Sequence, residues 1–146
     1  MELLSGRRAV VTGAASARGL GREIARTFVA HGAVVAILDL DREAARDVAN
    51  DLGSGNVGLA CDVTDKMACE EATGELLARW PGIDILVNNA GISQPLALME
   101  VGPADCAAVL QVNLCGTLFM SQAVVPAMRA QRAGSIVNMA SVSASN

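Results

Sequence analysis

The chain has 146 residues, of which 52% are hydrophobic and 18% are charged, a composition typical of one globular domain. A net charge of −4, no cluster of Lys or Arg, and few aromatic residues argue against a nucleic-acid partner. Four cysteines without a Cys-x-x-Cys pair and a single histidine predict reduced cytoplasmic thiols and no metal site. Arg, Asp and Gly interrupt the apolar runs, and no signal-peptide core is present, so we expect no membrane partner.

The first predicted elements are a strand at residues 9–11 and a helix at residues 20–30, joined by a glycine-rich turn. Such a turn presents backbone N–H groups and the positive end of the helix dipole to a phosphate. A strand before the turn and a helix after it are the context that dinucleotide binding requires. We therefore predict a pyrophosphate site here, with contacts from Gly13, Ser16, Arg18, Gly19 and Leu20.

Strands and helices alternate along the rest of the chain. The predicted strands are 33–38, 57–61, 83–87 and 135–139, and the predicted helices are 41–49, 65–80 and 104–132. Asp41 is the expected N-cap of the second helix, His31 has a structural role at the end of the first, and Pro126 should kink or end the last. The alternation predicts an α/β fold, a Rossmann-type doubly wound parallel sheet truncated after the fifth strand. We expect residues 1–146 to form a single dinucleotide-binding domain that lacks the C-terminal catalytic and substrate part.

Asp39 ends the second predicted strand, 18 residues after Gly21. A carboxylate about 20 residues after the glycine turn accepts hydrogen bonds from the ribose hydroxyls and repels a 2′-phosphate. A helix N-cap is the alternative role, but Asp41 already fills it. Arg18 favours the other cofactor, because a guanidinium in the turn can pair with a 2′-phosphate. The position of the carboxylate favours NAD, with NADP as the alternative.

Polar groups follow four of the predicted strands. They are the glycine turn, Asp39, Asp62-Val63 and Asn88-Asn89-Ala90-Gly91. In a parallel α/β sheet the ligand binds beyond the carboxyl ends of the strands, near the change in strand order. Asn and Gly after a strand are also typical of simple turns, but four polar strand ends at one edge favour a shared ligand site.

Taken in order, these motifs resemble those of the NAD(P)-dependent short-chain dehydrogenase/reductase family, over the chain from Gly6 to Ser145. The resemblance rests on Thr12-Gly13…Gly19-Leu20-Gly21, Asp62-Val63, Asn88-Asn89-Ala90-Gly91, Val112-Asn113-Leu114 and Ile136-Val137-Asn138-Met139-Ala140-Ser141. The Asn-Asn-Ala-Gly run and its place among the other motifs are specific, whereas the glycine turn alone is not.

The resemblance implies a role for each matching position. Asp62 and Val63 would contact the adenine, and residues 89–91 would line the cofactor. Asn113 would be the helix asparagine of the catalytic tetrad, and Ser141 would hold the substrate carbonyl or hydroxyl. On residue type alone, Ser141 also fits a Ser-rich turn, and Asn113 also fits a helix kink.

The chain departs from the family pattern in two places. Two extra residues, around Ala17 and Arg18, lengthen the glycine turn relative to the family's Thr-Gly-x-x-x-Gly-x-Gly spacing. The family's general acid/base is a tyrosine in a Tyr-x-x-x-Lys motif that follows the serine. The chain contains no tyrosine and its sequence ends at Asn146, so it holds a cofactor site and half of an active site.

Two functions follow from these observations. The first is an NAD-dependent oxidoreductase of short-chain dehydrogenase type, which transfers hydride between a secondary alcohol or ketone and the nicotinamide; the chain alone would be inactive. The alternative is a catalytically inactive dinucleotide-binding module or fragment that pairs with another polypeptide. The family's usual oligomers imply a homo-oligomer formed through the long apolar helix.

Overall fold

The computed structural model describes residues 2–141, so Met1 and residues 142–146 of the predicted domain lie outside the described part of the chain. The strands are β1 (Arg8–Thr12), β2 (Val34–Asp39), β3 (Val57–Ala60), β4 (Ile85–Asn88) and β5 (Ser135–Asn138). The α-helices are α1 (Leu20–Ala30), α2 (Arg42–Asp51), α3 (Lys66–Arg79), α4 (Pro103–Leu110) and α5 (Thr117–Gln131). A short 3-10 turn at Leu98–Glu100 precedes α4, and a π-helical segment at Gln111–Gly116 joins α4 to α5.

The five strands are parallel, and their order across the sheet is β3-β2-β1-β4-β5. Strand β1 is central, with Val10 beside Ala36 of β2 on one side and Leu86 of β4 on the other. The chain adds strands on one side of β1 as far as β3 and then returns to the other side with β4. The predicted Rossmann-type doubly wound sheet is confirmed, and a crevice is expected where the order reverses, outside β1 and β4.

Helices cover both faces of the sheet, which explains why its central strands are continuously apolar. On one face, Val10 and Leu86 belong to a core formed with α3 and α5. On the other face, Val11 and Val87 belong to a core formed with α1 and α2. All four side chains are at most 1% exposed, so successive residues of one strand are buried on opposite faces.

Short polar and glycine signals set the helix boundaries. Asp41 is confirmed as the N-cap of α2, where its carboxylate accepts from two backbone N–H groups of the first turn at 3.0 Å. His31 closes α1 before Gly32, whose φ of +87° favours glycine. Pro103, expected to lie just before the last helix, is instead the first residue of α4. Proline is tolerated there because a backbone N–H at the first helical position has no partner within the helix.

The expectation that Pro126 ends a helix is wrong, because α5 continues across it. Proline removes one backbone N–H from the helix. Val124 and Met128, on either side of it, are buried against the sheet and stabilise the segment. The irregular turn lies earlier, in the π-helical segment that contains Asn113. Such segments occur often at functional sites.

The helical stretch Pro103–Gln131 is long and apolar enough to cross a membrane by length and composition alone, contrary to our expectation from the interrupted apolar runs. Gly116 does not interrupt this helical stretch, because the π-helical segment continues directly into α5. Core helices of soluble proteins pass the same test. Only 17% of its most apolar part is buried, and β5 is exposed along its length. We use the name open apolar face for the exposed apolar side chains of this stretch and of β5 with its end taken together: Leu110, Leu114, Leu118, Ile136, Val137 and Met139. Ile136 and Val137, as neighbours in a strand, point to opposite sides of the sheet.

Gly58 of β3 lies directly beneath α2, where an added methyl group would overlap the backbone of Ala45 and Arg46. Gly58→Ala should lower the free energy of unfolding by about 2 kcal/mol, because two packed backbones would have to separate. Gly74, in α3 with open space around it, provides the control. Gly74→Ala should raise stability by about 0.8 kcal/mol through helix propensity. Urea unfolding measures both effects, and equal effects would contradict the close packing of α2 on β3.

Candidate functional site

A cleft of about 340 Å³ opens at the carboxyl ends of β1 to β4, where the strand order reverses. Most of the predicted cofactor-binding residues line it: Gly13, Gly19, Leu20, Asp39, Asp62, Val63, Asn89, Ala90 and Gly91. Further lining residues, which we did not predict, are Leu40, Cys61, Thr64, Ile92 and Val112. All five are chain neighbours of a predicted site residue, Val112 being next to Asn113. Extending each predicted motif by one position would therefore have found them.

The glycine turn requires close backbone approaches. Gly13 has a φ of +63°, and a Cβ atom on it would lie 2.7 Å from the Cα atom of Ala90. A Cβ atom on Gly21 would lie 2.9 Å from the carbonyl oxygen of Gly13, so α1 begins in contact with the turn. Gly19, the N-cap of α1, offers no capping side chain to the first-turn N–H groups. This helix N-terminus, at the cleft wall, is therefore suited to an anion.

Thr12 has a structural role that we did not predict. The hydroxyl oxygen of this buried residue accepts from the backbone N–H groups of Asn89 at 3.1 Å and Ala90 at 3.0 Å. In return, the side-chain amide of Asn89 donates to the carbonyl oxygens of Thr12 and Gly13, both at 3.0 Å. We call Thr12 and Asn89 the strand-end clamp, because they join the end of β1 to the end of β4. The available signal was a polar residue directly after the apolar run at residues 9–11.

Asp39 lies at the end of β2 and at the wall of the cleft, as expected from its position in the sequence. Its Oδ2 atom accepts from the backbone N–H of Ala15 at 2.9 Å, so the carboxylate also holds the glycine turn in place. Its Oδ1 atom has no hydrogen-bond partner within residues 2–141. Asp41 caps α2 separately. Asp39 is thus left with one oxygen for a ligand.

Asp62 and Val63 shape the turn after β3 as well as line the cleft. The Oδ1 atom of Asp62 accepts from the backbone N–H of Thr64 at 2.9 Å and from its hydroxyl at 2.7 Å. Val63 packs against the π-helical segment, where a Cβ atom on Gly116 would lie 2.7 Å from its Cγ2 atom. These contacts hold the backbone of the turn at the edge of the cleft.

Asn113 does not line the cleft but fixes one of its walls. Its Oδ1 atom accepts from the backbone N–H of Ile92 at 2.8 Å, and its amide donates to the carbonyl oxygen of Ile92 at 2.9 Å. A Cβ atom on Gly91 would lie 3.3 Å from the same Oδ1 atom. Asn113 therefore holds the chain that leaves the Asn-Asn-Ala-Gly run, with both its Oδ1 and its Nδ2 atoms paired to the backbone of Ile92.

Ser141 follows β5 and is exposed, outside the residues that line the cleft. The path toward it is fixed by Asn88, whose carbonyl oxygen accepts from the N–H of Met139 at 3.0 Å. The side-chain amide of Asn88 also donates to the Oδ1 atom of Asn138 at 2.9 Å. Neither Asn113 nor Ser141 is among the described residues that line the cleft.

The lengthened part of the glycine turn is not part of the cleft lining but borders the cleft, because Gly19 and Leu20 line both the cleft and the groove next to it. Arg18 lies in a separate groove of about 490 Å³ beside α1, together with Arg22 and Arg26. Ser16 accepts through its carbonyl oxygen from the N–H of Gly19 at 3.1 Å and is likewise outside the cleft lining. Among the described lining residues the charged side chains are acidic and none is a cation. Residues 2–141, which the structure describes, contain no group of three or more His, Cys, Asp or Glu side chains that could hold a metal ion.

Thr12→Val keeps the shape of the side chain but leaves the N–H groups of Asn89 and Ala90 without their acceptor. Such a loss should lower the free energy of unfolding by about 2 kcal/mol. Thr12→Ser keeps the hydroxyl and removes one methyl group, which should lower it by about 1 kcal/mol. Urea unfolding compares the two variants. A larger loss in Thr12→Ser than in Thr12→Val would contradict the strand-end clamp.

Comparison with known proteins agrees with this architecture. Residues 7–146 match the short chain dehydrogenase family. The chain is 45% identical to sorbitol dehydrogenase of Cereibacter sphaeroides, over 94% of this chain and 54% of that protein. It is 41% identical to D-threitol dehydrogenase of Mycolicibacterium smegmatis, over 97% of this chain and 55% of that protein.

A solved structure shows the same likeness. The short-chain type dehydrogenase/reductase from Mycobacterium marinum superposes with a TM-score of 0.91 at 31% identity, covering 98% of this chain and 57% of that one. The chain therefore spans a little more than half the length of these relatives. By sequence match and by fold, the chain belongs to the short-chain dehydrogenase family.

Proposed function

We propose that residues 1–146 form a single dinucleotide-binding domain of an NAD-dependent oxidoreductase that interconverts a secondary alcohol and a ketone. The observation that carries the proposal is the cleft at the reversal of strand order, walled by the uncapped N-terminus of α1 and by Asp39. Two relatives are named as dehydrogenases of the small alcohols sorbitol and D-threitol, which supports this substrate class. The nicotinamide supplies the hydride chemistry when it is bound.

The chain's own residues bind and orient the cofactor in this proposal. Backbone N–H groups of the glycine turn hold the pyrophosphate, because Gly13 and Gly19 leave the backbone open to it. The Oδ1 atom of Asp39, which has no hydrogen-bond partner among the described residues, accepts from the ribose. Asp62-Val63 contacts the adenine, and residues 89–91, held by the strand-end clamp, line the nicotinamide half.

NAD is the proposed cofactor and NADP the alternative. Asp39 and Asp62 give the described cleft wall an acidic character, and a 2′-phosphate at Asp39 would meet a like charge. Arg18, the residue that favours NADP, lies in the neighbouring groove. Arg18 is not among the described residues that line the cleft, whereas Asp39 is, and this difference supports NAD.

Asn113 and Ser141 are proposed to act in the reaction, Asn113 by holding the cofactor wall at Ile92 and Ser141 by binding the substrate oxygen. The chain has no tyrosine to serve as the general acid/base. We therefore propose that residues 1–146 alone bind the dinucleotide without turning over an alcohol.

The alternative function is a catalytically inactive dinucleotide-binding module or fragment that pairs with another polypeptide. The open apolar face favours it, because exposed apolar patches commonly mark interaction surfaces. For either function we propose a homo-oligomer formed through α4 and α5 and a cytoplasmic location with reduced cysteines.

Asp39→Asn tests the cofactor preference. Asparagine keeps an oxygen to accept from Ala15 but removes the charge that faces the ribose. NADH affinity should fall about tenfold, equivalent to 1.4 kcal/mol, and NADPH affinity should rise because the like charge is gone. Asp41→Ala, which removes the cap of α2, should lower stability by about 1 kcal/mol without changing NADH affinity. Fluorescence titration with both nucleotides measures these effects.

Arg18→Ala tests the same cofactor preference at the residue that favours NADP. With Arg18 outside the cleft, the substitution should leave the affinities for NADH and NADPH unchanged. A loss of NADPH affinity well beyond any loss of NADH affinity would show that Arg18 reaches the 2′-phosphate, and the choice of NAD would be wrong.

The purified 146-residue chain, with its mass verified as 14.9 kDa, should bind NADH and show no alcohol-dependent reduction of NAD. Absorbance at the nicotinamide band follows the reaction with small secondary alcohols. Steady turnover by a chain of this mass would contradict the proposed need for the missing tyrosine.

A further inference from the structure

The π-helical segment at Gln111–Gly116 holds the cleft wall that follows β3. The Nε2 atom of Gln111 donates to the carbonyl oxygen of Thr64 at 3.2 Å, across 47 residues of sequence. Thr64 lines the cleft. The other end of the segment packs against the same turn, since a Cβ atom on Gly116 would lie 2.7 Å from Val63. The segment thus contacts the turn after β3 at both of its ends.

The same segment also holds the cleft wall that follows β4. Asn113 pairs through its Oδ1 and Nδ2 atoms with the backbone of Ile92, at 2.8 and 2.9 Å. Helix residues two positions apart do not face each other, so Gln111 and Asn113 reach different walls. Val112, between them, lines the cleft itself. We call Gln111, Val112 and Asn113 the wall brace.

The sheet connects these two walls only indirectly. Strands β3 and β4 are not neighbours, because β2 and β1 lie between them. The paired residues of β3 end at Ala60 and those of β4 end at Asn88. Strand pairing therefore stops short of Thr64 and Ile92, whereas the wall brace runs directly from one of these residues to the other.

We propose that the wall brace sets the spacing between the two walls, and that Gln111 is a positioning residue for a ligand that spans them. The effect on binding rests on the proposed function, in which Asp62-Val63 contacts the adenine and residues 89–91 line the nicotinamide half. The bridging of the two walls does not rest on it. The ligand that the spacing suits is the dinucleotide, which contacts both walls, and not a mononucleotide that contacts one.

The turn after β3 has hydrogen bonds that hold its own shape without Gln111. The Oδ1 atom of Asp62 accepts from the N–H and the hydroxyl of Thr64. The thiol of Cys69 donates to the carbonyl oxygens of Val63 at 3.6 Å and of Asp62 at 3.9 Å. Loss of the Gln111 hydrogen bond should therefore free the position of the turn relative to the opposite wall and leave the shape of the turn intact.

Gln111→Met tests the proposal, because methionine is of similar length and has no N–H to donate. Gln111 is exposed, so the substitution should leave the fold intact. Amide NMR titrations of the 146-residue chain with NADH and with AMP measure both affinities. NADH affinity should fall about fivefold, and AMP affinity should stay unchanged because AMP contacts one wall only. Gln122→Met, at an exposed position of α5 outside the cleft lining, is the matched control and should change neither affinity.

A loss of NADH affinity in Gln111→Met, with AMP affinity unchanged, supports the proposal. Equal losses for NADH and AMP, which a purely local role in the turn would give, overturn it, and so does an unchanged NADH affinity. Failure of the unsubstituted chain to bind either nucleotide contradicts the proposed function. The bridging is then judged without ligand from the amide of Asp65, which adjoins the Thr64 carbonyl. A changed amide shift in Gln111→Met supports the bridging, and an unchanged shift overturns it.

Discussion

The site depends on the strand-end clamp, which joins the two strands between which the sheet order reverses. The connections after two such strands run to opposite faces of the sheet, and the crevice between them would expose backbone N–H groups without partners. The hydroxyl of Thr12 accepts two of these N–H groups, and the amide of Asn89 returns two hydrogen bonds to the turn. The clamp lets an opening persist at the centre of a packed sheet. The cleft, the glycine turn and the path of residues 89–91 all follow from it.

The outer walls are held by contacts of the same kind, each between a side chain and distant backbone. Asp39 fixes the turn at Ala15, Asp62 fixes its own turn at Thr64, and Asn113 fixes Ile92. Each of these residues was predicted for a ligand role, yet each has a structural role in the chain without a ligand. Asp39 and Asp62 each keep one carboxylate oxygen, Oδ1 of Asp39 and Oδ2 of Asp62, without a hydrogen-bond partner in the described residues 2–141, and so retain capacity for a ligand.

Local signals predicted most of the fold. The predictions of the apolar strands, of the Asp41 cap and of the order of elements were correct. Apolar runs and polar caps act within a few residues, so the sequence shows them directly. Two other features, the continuation of α5 across Pro126 and the position of Arg18, depend on packing between parts of the chain that are distant in sequence. Burial of Val124 and Met128 carries α5 across the proline, and two extra residues direct Arg18 into a neighbouring groove. The role of Thr12 required knowledge that β1 and β4 are neighbours, which strand order alone reveals.

The central claim is that the cleft behind the clamp binds the dinucleotide. The most direct measurement is a backbone-amide NMR titration of the 15N-labelled chain with NADH. Shift changes should concentrate at Gly13, Gly19, Asp39, Val63 and residues 89–91, and Thr12→Val should abolish or greatly weaken them. Shift changes confined to the Arg18 groove or to the open apolar face, or no saturable change at all, would contradict the account.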